Sequence, residues 1–279
     1  DRGYLSQAVY SQVRAQPDLR VVEYQSGVPG GIALRQAAAR SMLAEQRLFG
    51  LFGGRWARRP GSIVKEDLFA PPMPVAGEEA PGFITTGEED PSLAEASLVA
   101  MQVLEARGRA WFLMVEGGDI DWANHDNDYA WMIGAMAQFE EAVRAIISFV
   151  DEPDDDLTWE NTLLIVTSDH ANGYLRFDAE APAARGKLPR QVWDAARAAW
   201  TYPDGDVRYG CDGHTNELVM FYARGRGADV LNQSAGAWYP GTRILDQTQI
   251  LRAAVAAAGV PRDDLERAKK RGAAADGRR

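Results

Sequence analysis

The chain has 279 residues, of which 46% are hydrophobic and 25% charged, so it can bury the core of one large domain or two small ones. Its formal net charge of -10 at pH 7 excludes a basic surface for nucleic acid or an anionic membrane, and no apolar run approaches the length of a membrane span. The single cysteine, Cys211, excludes an intrachain disulfide and a thiolate-rich zinc site, and it leaves the redox compartment open.

The first third of the chain alternates helical and extended patterns, as α/β folds do. Apolar residues spaced by four predict a helix within residues 3–16, and Leu19–Tyr24 is typical of a short strand. An Ala- and Leu-rich segment predicts a second helix over Ile32–Arg47, followed by a strand over Leu48–Phe52. The next segment, at about 53–90, is rich in proline and glycine and predicts a long irregular insertion.

The middle of the chain predicts a βαβ unit. After a helical pattern over Ser92–Arg107, the apolar run Trp111–Val115 ends at Glu116 and two glycines, which suits a buried central strand of a parallel sheet. Tyr129–Val150 is the clearest helix, and Thr162–Thr167 predicts a second buried strand. A strand, a helix and a strand over this length place the two strands parallel to each other.

The patterns are weaker in the last third. Residues 174–209 offer only a candidate helix over Arg190–Trp200. Glu217–Ala223 predicts a strand, and if this strand runs antiparallel to the other two, its beginning lies at their ends. Gln247–Ala258 predicts a helix for which Asp246 is the N-cap.

Carboxylate and imidazole side chains gather just beyond the predicted strands, where parallel sheets bind their ligands. The four-residue spacing of Asp121 and His125 places both on one face of a helical turn. All three histidines of the chain belong to this group, which favours a metal site over isolated structural histidines. The candidate ligands are Glu116, Asp121, His125, Asp169, His170 and His214.

Imidazole and carboxylate ligands without thiolate fit zinc or a harder divalent ion, and six such ligands are too many for one tetrahedral ion that also admits substrate. The sequence therefore indicates two or more ions, which at about 4 Å from each other can hold the attacking and leaving oxygens of a phosphoryl displacement. Asp119 is more typical of an exposed loop acid than of a ligand. Asn172, Asp212 and Thr215 are candidates for orienting the ligands, although turn chemistry alone explains Asn and Asp at such positions.

Three segments resemble the carboxyl-terminal part of the alkaline phosphatase family. They are VEGGDID at residues 115–121 with His125, TSDH at 167–170, and GHTNELV at 213–219. Weaker similarity over residues 48–53 and 246–259 extends the resemblance to most of the chain. The resemblance implies an α/β three-layer sandwich with a mostly parallel central sheet, incomplete at its amino terminus. Residues 1–260 would form the carboxyl-terminal part of that domain, and 261–279 a charged tail.

The resemblance also implies a role for each candidate ligand. Asp121, His125 and His214 would bind one zinc ion, Asp169 and His170 a second, and Glu116 a magnesium ion. The implied activity is hydrolysis of phosphate monoesters to inorganic phosphate through a phosphoserine, in a periplasmic or secreted homodimer.

No segment of this chain matches the amino-terminal part of the family, which carries the serine nucleophile. We therefore expect no catalytic nucleophile in these residues. We interpret the chain as the carboxyl-terminal part of a longer enzyme, with an amino-terminal fragment as a candidate partner.

Two other functions stay open from the sequence. Phosphodiesterases, mutases and sulfatases on related sheets carry similar Asp-His pairs, although the GHTNE segment and the spacing of Glu116, Asp121 and His125 argue against them. A non-catalytic metal-binding domain is the other alternative, because the nucleophile is missing.

Overall fold

The structure of the protein is a computed structural model that describes residues 6–52, 89–152, 156–180, 188–259 and 261. The chain divides into two compact units, Asp1–Ile146 with His170–Leu218, and Ile147–Asp169 with Val219–Arg279. Almost all of the predicted insertion at 53–90, and all of the predicted tail except residue 261, lie outside the described residues.

Seven helices and ten strands are formed by the described residues. The helices are α1 (Gln7–Arg14), α2 (Gly30–Leu43), α3 (Leu93–Glu105), α4 (Asp119–His125), α5 (Tyr129–Val150), α6 (Ala228–Ser234) and α7 (Thr248–Ala258). The strands are β1 (Leu19–Glu23), β2 (Arg47–Leu51), β3 (Leu163–Thr167), β4 (Ala171–Asn172), β5 (Arg176–Phe177), β6 (Val192–Asp194), β7 (Ala199–Thr201), β8 (Val207–Arg208), β9 (His214–Thr215) and β10 (Phe221–Gly225).

The amino-terminal part of the first unit confirms the predicted alternation of helices and strands. Strands β1 and β2 pair in parallel, with Leu19 opposite Arg47, and helices α2 and α3 contact each other beside them. A cluster of buried side chains forms the core here, because the apolar positions of α2 recur at three and four residues and so lie on one face. The cluster consists of Val22, Leu34, Ala37, Ala38 and Val99.

Helix α3 begins at a capping box, as its sequence allows. The Ser92 hydroxyl accepts from the N–H of Glu95, and the Glu95 carboxylate accepts from the N–H of Ser92. This pair satisfies two of the backbone donors that a helix leaves free at its start. Glu95 also accepts a 2.8 Å hydrogen bond from Arg35, and thereby ties α3 to α2.

The prediction that Trp111–Val115 is a buried central strand is wrong. Residues 111–116 form no regular strand and no backbone hydrogen bond with other described residues, and Phe112 and Met114 are 84% and 75% exposed. Trp111, Leu113 and Val115, on the opposite face, are half-buried. An apolar run is buried on both faces only where strands flank it and a layer covers each face. The described residues provide no flanking strand.

The expected mostly parallel central sheet is not found among the described residues. Their strands form five two-stranded sheets, of which β1 with β2 is parallel and the other four are antiparallel. Strand β3, the second strand of the predicted βαβ unit, pairs with β10 instead. A parallel sheet requires several strands joined by crossover helices to lie side by side, and each strand here has a single partner.

The predicted helix over Arg190–Trp200 is wrong, because these residues form the β6–β7 hairpin. The rings of Trp193 and Trp200 contact each other across the two strands, edge to face, with 5.3 Å between their centroids. In the turn, the Asp194 carboxylate accepts from the N–H of Ala196 at 2.9 Å. Aromatic pairing and this side-chain turn outweigh the helix propensity of the alanines between the strands.

The second unit is formed around the β3–β10 pair and helices α6 and α7. The predicted third strand is present as β10 and runs antiparallel to β3, which is the direction that the sequence analysis left as a condition, although the paired strand begins at Phe221 rather than Glu217. The predicted last helix is confirmed as α7, which ends at Gly259 in the left-handed conformation. Within the described part of the chain, no helix combines the length and the apolar composition of a membrane span.

Candidate metal centre

Helix α4 carries two of the candidate ligands, Asp121 and His125, on one face, as the spacing predicted. Nε2 of His125 lies 3.3 Å from Oδ2 of Asp121, one helical turn away. Asp119, expected in an exposed loop, is instead the first residue of this helix and is half-buried. Its charge lies at the amino-terminal end, where the helix dipole favours an acid.

His214 joins these residues through a short ladder. Strand β9 pairs antiparallel with β4, which places His214 opposite Asn172. Nε2 of His214 then lies 3.4 Å from Oδ1 of Asp121 and 3.1 Å from Nε2 of His125. One ligand atom from each of Asp121, His125 and His214 lies within 4.8 Å of the others. The convergence proposed for these three side chains is thus present in the structure.

The hydrogen bonding of His125 determines which of its nitrogens faces the cluster. Its Nδ1 lies 2.6 Å from the carbonyl oxygen of Asp212, which can only accept, so Nδ1 carries the proton. In the neutral ring Nε2 then has a free lone pair, which is directed toward Asp121 and His214. Two imidazole nitrogens and a carboxylate oxygen at these distances form an electron-rich cluster, and this donor set fits a divalent cation such as zinc.

The remaining candidates differ in position. The ring of His170 stacks on that of His214 with 3.5 Å between centroids, and its Nδ1 lies 3.9 Å from Oδ1 of Asp121. Glu116 is exposed, and no hydrogen bond or ion pair joins its carboxylate to another described residue. Asp169 belongs to the second unit. The ligand roles of all six residues stay predictions.

A side-chain amide supports the carboxylate of the cluster. Nδ2 of Asn172 donates to Oδ1 of Asp121 at 2.7 Å and also lies 3.2 Å from the Asp121 carbonyl oxygen. The sequence left Asn172 open between turn chemistry and ligand orientation. The structure shows the contact with Asp121 directly.

A buried polar network holds the turn that follows His125. Asp128, 3% exposed, accepts from the N–H of Trp131 at 3.0 Å and so caps α5, and it accepts from Nε2 of Gln191 at 2.9 Å. The hydroxyl of Tyr202 donates to the Asn127 carbonyl at 2.5 Å, and burial raises the pKa of Tyr202 above its ordinary value. Gln191 and Tyr202 were missed because their segment has no periodic pattern.

Glu217 of the GHTNE segment has a structural partner. Its carboxylate accepts from the Arg176 guanidinium and, at 3.1 Å, from the Thr215 hydroxyl. The hydrogen bond from Arg176 lowers the pKa of Glu217. Arg176 also stacks on the ring of Tyr174. This set of contacts connects β5 with the segment that carries His214.

Comparisons with known proteins agree on one family. The profile of the alkaline phosphatase family matches residues 83–235, which include α4, β4 and β9. Alkaline phosphatase 4 of Bacillus subtilis is 39% identical over 107 residues, which are 36% of this chain and 22% of that protein. Alkaline phosphatase of Escherichia fergusonii is 28% identical over 203 residues, which are 69% of this chain and 39% of that protein.

Similarity at the level of the fold extends further along the chain. The crystal structure of Thermus thermophilus alkaline phosphatase aligns with 91% of this chain and 58% of its own chain, with a TM-score of 0.51 and 19% sequence identity. The protein thus shares the α/β fold of that structure. This chain spans well under half the length of the two curated relatives. Because the family profile covers more than half of the sequence, this chain belongs to the alkaline phosphatase family.

Proposed function

We propose that this chain contributes the metal-binding part of an enzyme that hydrolyses phosphate monoesters. The observation that carries the proposal is the convergence of Asp121, His125 and His214 in a chain of the alkaline phosphatase family. The substrate would be a phosphate monoester and the released product inorganic phosphate. The reaction would pass through a phosphoserine whose serine lies outside these 279 residues.

The proposed ligand sets follow the family resemblance and, in part, the geometry. Asp121, His125 and His214 would hold one zinc ion, and Asp169 and His170 a second, with Glu116 as the ligand of a magnesium ion. The contacts of His170 with His214 and Asp121 support neighbouring sites. When bound, such ions stabilise the charge that develops on the attacking and leaving oxygens of a phosphoryl transfer. The chain itself orients the donors: Asp212 fixes the tautomer of His125, and β9 positions His214.

A partner polypeptide is part of the proposal, and the exposed apolar segment supports it. Phe112, Met114 and Leu218 are each more than two thirds exposed, and the backbone of residues 111–116 forms no hydrogen bond with the rest of the described chain. Backbone groups of this kind can pair with a further strand. We propose that an amino-terminal fragment of the same enzyme supplies both this strand and the serine nucleophile.

The other features are proposed from the family resemblance. Residues 1–260 would be the carboxyl-terminal part of one alkaline-phosphatase-like domain, and 261–279 a charged tail. The complete enzyme would act as a homodimer in the periplasm or outside the cell.

The test uses the wild-type chain and His214→Ala, with Gln233→Ala on the exposed side of α6 as a control variant. The wild-type chain should bind zinc, and it should hydrolyse an aryl phosphate at alkaline pH when it is supplied with an amino-terminal alkaline phosphatase fragment that carries the serine. His214→Ala should lose both properties, because it removes one of three converging donors. Gln233→Ala should keep both. Full activity in His214→Ala would end the proposal.

The same experiment separates the alternatives. Zinc binding without turnover, even with the fragment present and phosphate removed, would indicate a non-catalytic metal-binding domain. Turnover of a diester or a sulfate ester in preference to a monoester would indicate a related phosphodiesterase or sulfatase.

A further inference from the structure

We propose that Asn172 is a positioning residue, which holds the Asp121 carboxylate in the orientation required for metal binding. This inference rests on the proposed function, because it concerns the same ion. Nδ2 of Asn172 contacts both the Oδ1 atom of Asp121, at 2.7 Å, and its backbone carbonyl oxygen, at 3.2 Å. The amide is thus anchored to the backbone of the residue whose side chain it restrains.

The restraint matters because the two carboxylate oxygens of Asp121 face different histidines. Oδ1 lies 3.4 Å from Nε2 of His214 and 3.9 Å from Nδ1 of His170, whereas Oδ2 lies 3.3 Å from Nε2 of His125. The terminal torsion of an aspartate is broad and costs little to change. A donor fixed on Oδ1 keeps one oxygen toward each group of histidines.

The placement of Asn172 is itself determined by the ladder that delivers His214. Asn172 and His214 are opposite each other in the β4–β9 pair. The same two-residue ladder therefore positions His214 through the backbone and Asp121 through the Asn172 side chain. A displacement of β4 would move both.

The surroundings of the side-chain oxygen of Asn172 also support its positioning role. Oδ1 of Asn172 is buried and has no hydrogen-bond partner among the described residues. The reverse orientation of the amide would point its oxygen at the Asp121 carboxylate, so the nitrogen must face Asp121. A buried acceptor without a partner destabilises the fold, and turn chemistry does not explain it. Orientation of Asp121 does explain why an amide stands here.

An uncharged donor is the suitable group for this position. The amide leaves the negative charge of Asp121 available to a cation, and it cannot compete as an anion for that cation. Hydrogen-bonding groups that orient metal ligands in this way change metal affinity by about 10- to 100-fold when they are removed.

The test compares zinc affinity among variants of the whole chain. Asn172→Leu keeps nearly the same shape and removes the donor, whereas Asn172→His restores an N–H donor at a similar distance from the backbone. Asn232→Ala, on the exposed side of α6, is the control variant. The zinc dissociation constant is measured by competition with a chromophoric chelator, and the visible spectrum of the cobalt-substituted protein reports the ligand geometry.

We expect Asn172→Leu to bind zinc about 10- to 100-fold more weakly and to change the cobalt spectrum. Asn172→His should recover most of the affinity, and Asn232→Ala should equal the wild type. Recovery of the affinity together with the wild-type cobalt spectrum separates a positioning role from a merely structural one, because direct ligation by the new imidazole would change the spectrum. Circular dichroism checks that the variants fold, and Asn172→Ala replaces the leucine variant if that one does not.

The inference would be overturned if the folded Asn172→Leu or Asn172→Ala chain had the zinc affinity and the cobalt spectrum of the wild type. That result would leave the proposed function intact. Failure of the wild-type chain to bind zinc would refute the proposed metal site together with this inference. The two failures are therefore distinguishable.

Discussion

Replacement of Asp128 by alanine tests whether the buried network after α4 stabilises the first unit. Asp128 accepts two hydrogen bonds on one carboxylate oxygen, from the N–H of Trp131 and from Nε2 of Gln191. Loss of the helix cap costs about 1 kcal/mol. Gln191 is 2% exposed, so water cannot replace the lost acceptor, and an unsatisfied buried donor costs a further ~1–3 kcal/mol.

We therefore expect Asp128→Ala to lower the free energy of unfolding by about 2–4 kcal/mol. Urea unfolding followed by circular dichroism measures this change, and an unchanged dependence on urea would show that only stability has altered. Asp128→Asn is the matched control, because its side-chain oxygen can accept both hydrogen bonds without the charge. It should remain within about 1 kcal/mol of the wild type.

A loss below about 0.5 kcal/mol in Asp128→Ala would refute the reasoning, because it would mean that neither the cap nor the Gln191 amide depends on this carboxylate. A large loss in both variants would instead show that the negative charge, rather than the two hydrogen bonds, stabilises the turn.

Three further predictions concern pH, backbone geometry and metal. Burial raises the pKa of Glu95, but hydrogen bonds from Arg35 and from the N-cap residue outweigh it and leave the pKa below its ordinary value. The Glu95 carboxylate therefore stabilises the fold above its ordinary pKa, and this stabilisation is lost as pH falls through the lowered pKa. In Glu95→Gln the melting temperature should depend less on pH across that acidic range. Gly173→Ala should destabilise by at least ~1–2 kcal/mol in thermal unfolding, because φ is 76° and the new Cβ would lie 2.8 Å from the Tyr209 ring; a wild-type melting temperature would contradict this geometry. Zinc at 100 times its dissociation constant should stabilise the wild-type chain by about 2.7 kcal/mol and leave the melting temperature of His214→Ala unchanged.

Sequence patterns predicted the helices and side-chain pairs that are determined by residues within a single segment. Helices α3, α5 and α7 have their periodicity and their end signals within their own residues, and the spacing of Asp121 and His125 needed only one helical turn. Each of these predictions was correct in type: the bounds of α5 are as predicted, and the ends of α3 and α7 differ from the prediction by at most two residues.

The predictions that failed depended on contacts that the pattern of a single segment does not reveal. The apolar run at 111–115 has the composition of a central strand, but composition does not reveal whether other strands will flank it. The β6–β7 hairpin is stabilised by the Trp193–Trp200 pair, which acts across the turn, whereas the alanines between the two strands favour a helix. The bond from Asn172 to Asp121 joins residues 51 positions apart, so no local signal could have distinguished it from a turn asparagine.

The geometry of the cluster suggests that cation binding and folding of this region are coupled. Nε2 atoms of His125 and His214 lie 3.1 Å apart, and each is within 3.4 Å of a carboxylate oxygen of Asp121. Without a cation, lone pairs on these atoms would repel one another, and only a proton shared between neighbours could relieve the repulsion. A divalent ion removes it for all three at once. Since His214 is held by a ladder of only two residues, the free energy of binding an ion at the proposed site would also contribute to keeping β9 against β4.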